Sequence, residues 1–385
     1  MKKRFSPSKK KIISIITVFV LFILLTGCKN SKPIQIGLAI ELTGSRAVIG
    51  VAARNGATLA VDQINEAGGI NGRPINLLIR DDKGDPGTAR QVDAELVDEG
   101  VVAIIGHITS QQTLAVFEQM NQAKTILISP TTSSPDFDKQ DDYFFRVMQT
   151  NTDFGIALGD YIYQQGIRKL AGVYDITNRS FSETLWNATR DEFIALGGEA
   201  VVEVEFSSPE AATPQAVAEL IADYDTEAMM IIASDVDTAL IVQYLSIAGI
   251  DAKIFGSSWA ATDELLQKGG SAIEGMVLTA LINDQDTSPN YLEFRNAYIE
   301  RFGIDPGLGA SHAYETVYIL AEALKQTNGQ KEGLQEALLA ISNFQGVNGT
   351  ITFDKYGDVH RDSYMVQVQD HQFVIIASIR VDVVE

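Results

Sequence analysis

The chain has 385 residues, with 30 Lys and Arg against 50 Asp and Glu, a formal charge of −20. Hydrophobic residues at 45% and charged residues at 21% exclude a disordered chain and a protein embedded in membrane throughout, and the length suits two globular domains. The acidity argues against nucleic acid as a partner, and the single Cys excludes a disulfide framework or a multi-thiolate metal site.

The chain opens on a basic stretch, Lys2, Lys3, Arg4, Lys9, Lys10 and Lys11, followed by an apolar run from Ile12 to Leu25. That run is short of the roughly 20 residues that span a bilayer and fits the core of a signal peptide. It ends Leu25-Thr26-Gly27-Cys28, which looks like a bacterial lipobox, with Cys28 as the lipidated mature N-terminus and residues 1–27 removed. Attached acyl chains would anchor the protein stably. Residues 28–33 read as a tether. The leader holds six of the 30 basic residues and none of the 50 acidic ones, which leaves the remainder at −26. Such a charge keeps a tethered domain soluble and off anionic lipid.

Beyond the tether, apolar strand-like runs alternate with amphipathic stretches. Ile34 to Ile40 reads as a strand, Val51 to Asn65 as a helix stopped by Gly68-Gly69, and Ile75 to Ile79 as the next strand. Asp85-Pro86 carries the signature of an N-cap followed by proline in the first helical position. Strands follow at Val101–Ile105, Thr125–Ile128, Leu170–Tyr174, Ala200–Phe206, Ala228–Ala233 and Lys253–Phe255, with helices between them. This alternation predicts two doubly wound α/β domains with parallel sheets. The C-terminal part breaks it. Helices at Tyr291–Phe302, Ser311–Gln326 and Glu332–Ile341 precede strands at Gly349–Phe353, Tyr364–Gln369 and Phe373–Val381, the last two joined by a turn at Asp370-His371.

In open α/β sheets, ligands bind beyond the carboxyl ends of the strands. Two loops there are dense in polar groups: Gly106-His107-Ile108-Thr109-Ser110 and Ser129-Pro130-Thr131-Thr132-Ser133-Ser134. They suit a carboxylate, with Ser110 at a helix N-terminus. They equally suit ordinary caps and turns. Enzyme signatures are missing: there is no G-x-S-x-G elbow and no phosphate-binding loop. The four His lack metal-ligand spacing and read as structural or surface residues, and Asp81-Asp82-Lys83-Gly84-Asp85 reads as a solvated turn ending in an N-cap rather than a calcium loop. No catalytic role, metal or cofactor is expected.

The region from residue 34 onward resembles type I periplasmic solute-binding proteins, in particular the branched-chain amino-acid (Leu/Ile/Val) receptors of ABC transporters. The matching features run in order from Ile36-Gly37 and Leu42-Thr43-Gly44 through Asn55-Gly56-Ala57 and Asp62-Gln63-Ile64-Asn65. They continue through Gly68-Gly69-Ile70-Asn71-Gly72, Asp81-Asp82, Ile105-Gly106-His107 and Ile128-Ser129-Pro130 to Asp175, Ala248-Gly249, Gly256 and Glu274-Gly275-Met276. The resemblance implies two lobes joined by three crossing segments, with 34–149 and 283–349 in one lobe and 150–282 and 350–385 in the other. It implies no enzymatic activity and a monomer that captures a small amino acid or related carboxylate outside the cytoplasm and presents it to a membrane permease. The same fold also serves ligand sensors that feed a separate signalling partner.

By position, the resemblance implies that Ser110 receives the ligand carboxylate and that Thr131, Thr132 and Ser133 add loop contacts. Phe181 falls where the family often has Tyr, which keeps the aromatic surface and loses the hydroxyl. The family acid that binds the ligand ammonium appears here as Ser258, followed by Trp259. Asp235 is then the candidate countercharge; without it, the expected ligand has no amine.

Overall fold

The first strand, β1 (Ile34–Ile40), is apolar along nearly its whole length because both of its faces are covered. Leu38 and Ile40 belong to one core, while Ala39 packs with Ile104 and Leu127 in a second core on the other side of the sheet. The computed structural model describes residues 32–207, 213–283, 286–359, 361 and 363–379. Cys28, its leader and most of the tether lie outside the described residues.

In the first lobe, β1, α1 (Ala47–Glu66), β2 (Ile75–Asp81), α2 (Pro86–Asp98), β3 (Ala103–Gly106), α3 (Ser110–Ala123), β4 (Ile126–Ser129) and β5 (Phe144–Arg146) follow one another. The sheet is parallel, in the order β2-β1-β3-β4-β5. The order reverses between β1 and β3, and the crevice beyond their carboxyl ends is where such sheets bind ligands. The cap at Asp85 is as expected, with its carboxylate accepting from Thr88 N at 2.6 Å.

The second lobe continues with α4 (Asn151–Gln164), β6 (Lys169–Asp175), α5 (Arg179–Ala195), β7 (Glu199–Phe206), α6 (Thr213–Ile221), β8 (Ala228–Ile232), α7 (Asp235–Ile247), β9 (Lys253–Gly256), α8 (Asp263–Gly269) and β10 (Val277–Ala280). The chain then returns to the first lobe through α9 (Pro289–Phe302), α10 (Leu308–Gln326), α11 (Leu334–Leu339) and a small hairpin, β11 (Phe344–Gly346) with β12 (Gly349–Ile351). It ends in β13 (Ser363–Gln369) and β14 (Gln372–Ile379), which add antiparallel to β10 and complete the order β14-β13-β10-β9-β8-β6-β7. Asp370 and His371 both take positive φ, 51° and 58°, the backbone of a tight two-residue hairpin turn.

The chain therefore passes between the lobes three times, as expected, but the last passage comes later than residue 350. Ile351, Phe353 and Val359 belong to the first lobe's core, and Phe353 meets Phe145 edge-on with ring centroids 5.3 Å apart. The second sheet resumes only at Ser363.

One packing detail bears on the site. Helices α1 and α10 cross so closely that a Cβ on Gly56 would lie 2.0 Å from the Ala310 carbonyl oxygen, and one on Gly309 would lie 2.4 Å from that of Ile49. Only glycine fits at either position. The crossing brings Ile49 and Leu308 together at the cleft.

Candidate functional site

Between the lobes lies a cavity lined by residues of both. Its first-lobe wall comes from the segment after β1 (Arg46, Ile49), the loop after β3 (Ile108, Thr109, Ser110), the loop after β4 (Thr131, Ser133) and Leu308. Its second-lobe wall comes from the N-terminal part of α5 (Phe181, Leu185), Asn178 just before it, the loop after β9 (Ser258, Trp259), and Thr279 and Leu281 at the end of β10. Met148, Asn151 and Phe154 line it where the chain first crosses. Both sheets thus face the cavity with their carboxyl ends.

The loop after β3 is held from below. His107, wholly buried, bonds Asp82 through Nδ1 at 2.5 Å and Asp93 through Nε2 at 3.1 Å. Burial alone would lower its pKa, but the charge of Asp93 and the bonds to both carboxylates outweigh that and lift it to about 10. Asp82, read from sequence as part of a solvated turn, is thus a buried ion-pair partner. The loop after β4 is tied to the same backbone: Ser129 Oγ donates to the His107 carbonyl at 2.9 Å, and Thr131 Oγ1 donates to that of Ile108 at 2.6 Å.

The cap of α3 is Thr109, not Ser110. Thr109 Oγ1 accepts from Gln112 N at 3.3 Å, in extended backbone conformation. Ser110 is the first helical residue, and its Oγ accepts from the amides of Ser133 and Ser134 at 3.4 and 3.3 Å. Its hydroxyl thus sits between the two loops, at the positive end of the helix dipole. Ser133 locks onto the second lobe, with its hydroxyl donating to Asn151 Oδ1 at 2.9 Å and its carbonyl accepting from Asn151 N at 2.7 Å.

Of the residues singled out from sequence, Ser110, Thr131, Ser133, Phe181, Ser258 and Trp259 line one cavity. Phe181 and Trp259 meet edge to face, with centroids 5.8 Å apart and planes at 87°. Thr132 and Asp235 are not in the lining. Thr132 is buried behind it, with Oγ1 at 2.7 Å from Thr113 Oγ1 and its amide donating to Ser129 Oγ. Asp235 opens α7, where Oδ2 accepts from Thr262 Oγ1 at 2.6 Å and Oδ1 from Val236 N at 2.8 Å. Its carboxylate ties two helix starts together, because the second-lobe wall is built from the ends of β6, β9 and β10 and not from that of β8.

Sequence reasoning missed Arg46, Asn151, Asn178 and Thr279. Arg46 had a signal: a lone cation just beyond the first strand, in the turn Gly44-Ser45-Arg46 of an acidic chain. It is 6% exposed, and its guanidinium carbon lies 4.9 Å from the centroid of the Trp259 ring. Among the described residues, no group of three or more His, Cys, Asp or Glu is placed to hold a metal ion. No described helix is long and apolar enough to cross a membrane.

The profile described as "Periplasmic binding protein" matches residues 33–372. The chain belongs to the periplasmic binding protein family. Members of this family work outside the cytoplasm, and the architecture here is that of the type I binding proteins. This periplasmic binding protein is 28% identical over 348 residues to "Leu/Ile/Val-binding protein homolog 1" of Brucella melitensis, covering 86% of this chain and 89% of that one. It superposes with a TM-score of 0.82 on the branched-chain amino acid transporter substrate-binding protein LivJ of Streptococcus pneumoniae, solved in complex with isoleucine. That match has 26% identity and covers 91% of this chain and 99% of the other. A solute-binding protein from R. palustris, solved in complex with benzoate, shares the fold at a TM-score of 0.82 and 19% identity, over 90% of this chain and 96% of its own.

Proposed function

We propose that this protein is the lipid-anchored receptor of an ABC transporter, which takes a small carboxylate-bearing solute, an amino acid or a relative of one, into the cleft between its lobes. The observation that carries this reading is the meeting of Ser110, Thr131, Ser133, Phe181, Ser258 and Trp259 around one interlobe cavity. Ser110 stands at the N-terminus of a 14-residue helix, where hydroxyl and helix dipole together favour an anion. The aliphatic and aromatic walls suit the ligand's apolar body. The names of the Brucella and Streptococcus relatives support a solute of this size and charge.

In this mechanism the open first lobe receives the carboxylate at the loops after β3 and β4. The second lobe then swings in with Phe181, Ser258 and Trp259 and removes the ligand's apolar surface from water. Closure follows because the ligand contacts both walls only in the closed form, so its binding energy is differential between the two states. A membrane permease reads the closed form and takes the solute. Cys28 carries the lipid that keeps the receptor beside it.

The test is to purify the protein, denature it, and identify the released small molecule by mass spectrometry. The expected result is a carboxylate with an apolar body, and its re-addition lowers the radius of gyration in small-angle scattering. A released sugar, polyamine or metal ion, or an unchanged envelope at saturation, refutes the reading.

A further inference from the structure

Among the described residues, Arg46 is the one ionisable side chain in the cavity lining. Two carboxylates steady it from outside that lining. Glu41 accepts from the Arg46 amide at 2.8 Å and holds Oε2 3.8 Å from one guanidinium nitrogen, while Asp175 of the second lobe stands 3.8 Å from another. The oxygens of Asp175 also accept from the amide and hydroxyl of Thr177, each at 2.8 Å, and the Thr177 hydroxyl in turn accepts from Arg46. Burial pushes the Glu41 carboxyl above its ordinary pKa, against the pull of the Arg46 amide and guanidinium. Although Arg46 is buried, its Nε–H has no acceptor among the described residues. A buried charged donor left unsatisfied is costly, and a ligand oxygen would relieve it.

An α-amino acid would bring an ammonium into the same closed space. Among the described residues no carboxylate lines the cavity to receive it: Asp235 is engaged with Thr262, and Ser258 stands where an acid was expected. A buried ammonium without a partner is strongly disfavoured. A carboxylate instead meets a guanidinium, a hydroxyl and a helix N-terminus.

We propose that Arg46 is the ionic partner of the ligand's carboxylate and that the ligand is a monocarboxylate with an apolar body and no ammonium group. This inference rests on the receptor reading above and narrows its solute class. Arg46 enters from the first lobe and reaches Thr177 and Trp259 of the second, so the residue that reads the ligand's charge also bridges the closing cleft.

The test is calorimetry on the full protein with three probes: 4-methyl-2-oxopentanoate, benzoate and leucine. At least one of the two acids should bind tenfold or more tighter than leucine. Arg46→Gln should weaken that acid at least thirtyfold and leave leucine unchanged or improved. Arg46→Lys keeps the charge without the planar fork and should fall between, which separates a ligand contact from a folding defect. Leucine binding tighter than both acids in the wild type overturns the ligand class and leaves the receptor reading standing. Undiminished acid binding by Arg46→Gln overturns the role of Arg46. Failure of all three probes, with a non-carboxylate released on denaturation, overturns both.

Discussion

Ser110 and Thr109 are neighbours with different tasks, and exchanging each for alanine separates a binding group from a structural one. Thr109 Oγ1 satisfies an amide of the first turn of α3. Thr109→Ala should therefore lower stability by about 1 kcal/mol, the usual worth of an N-cap. Ser110 Oγ accepts from two loop amides at 3.3 and 3.4 Å and not from a first-turn amide of the helix. Ser110→Ala should therefore cost no more than about 1 kcal/mol of stability. In the proposed complex the same hydroxyl faces a carboxylate, and a hydrogen bond to a charged group is worth about 1.5–3 kcal/mol. At about 1.4 kcal/mol per factor of ten, Ser110→Ala should weaken ligand binding roughly 10- to 150-fold. Calorimetry gives the affinities, and melting curves on the same samples give the stabilities. If Ser110→Ala melts as low as Thr109→Ala and binds ligand like the wild type, Ser110 is scaffolding and the carboxylate is received elsewhere.

The pairing of His107 with Asp82 and Asp93 raises its pKa, so its contribution to stability is complete below about pH 6.5 and declines as pH rises toward about 10. In that window only the folded state holds the proton. Denaturant titrations should show stability falling by up to about 1.4 kcal/mol per pH unit, and His107→Gln should flatten that slope; a wild-type profile that is already flat refutes the assignment. Gly56→Ala should destabilise by about 1–3 kcal/mol, since the new methyl would meet the Ala310 carbonyl at 2.0 Å, and an unchanged melting temperature would show that the two helices part freely. Cys28→Ser should abolish incorporation of a labelled fatty acid, because the chain has no other thiol, and label retained in the variant would remove the lipid anchor from the proposed function.

The doubly wound plan was legible because parallel strands covered on both faces leave continuous apolar runs, as in Ile34–Ile40 and Ala228–Ile232. Strand β5 was not: it has three residues, Phe144–Arg146, and ends on a buried arginine paired with Asp138 and Asp358. The site was half legible. Ser110, Ser133 and Trp259 lie just beyond strand ends, in segments whose polarity or position is visible in the sequence. Asp235 occupies an equivalent loop, yet the wall is drawn from β9 and β10 beside it, and no local pattern tells which strand ends border a cleft. Arg46 was missed for the opposite reason. An arginine in a polar turn reads as solvent-exposed until the other lobe, more than a hundred residues further along the chain, covers it with Asp175, Thr177 and Trp259.

The late return of the chain to its first lobe sets the order in which this protein can mature. Ile34, Ile36 and Leu38 are synthesised early, yet they share a core with Val317, Leu320, Ile351 and Val359. The whole second lobe, apart from its terminal hairpin, must be made before those partners exist. Contacts this distant in sequence form slowly, because a long loop has to close before they stabilise anything. The opening segment pairs early with β2 and β3 but lacks the late part of its core until synthesis is nearly complete. For a chain read as crossing a membrane through a secretion channel, that delay is an asset: it keeps the leading end threadable until export has carried it through.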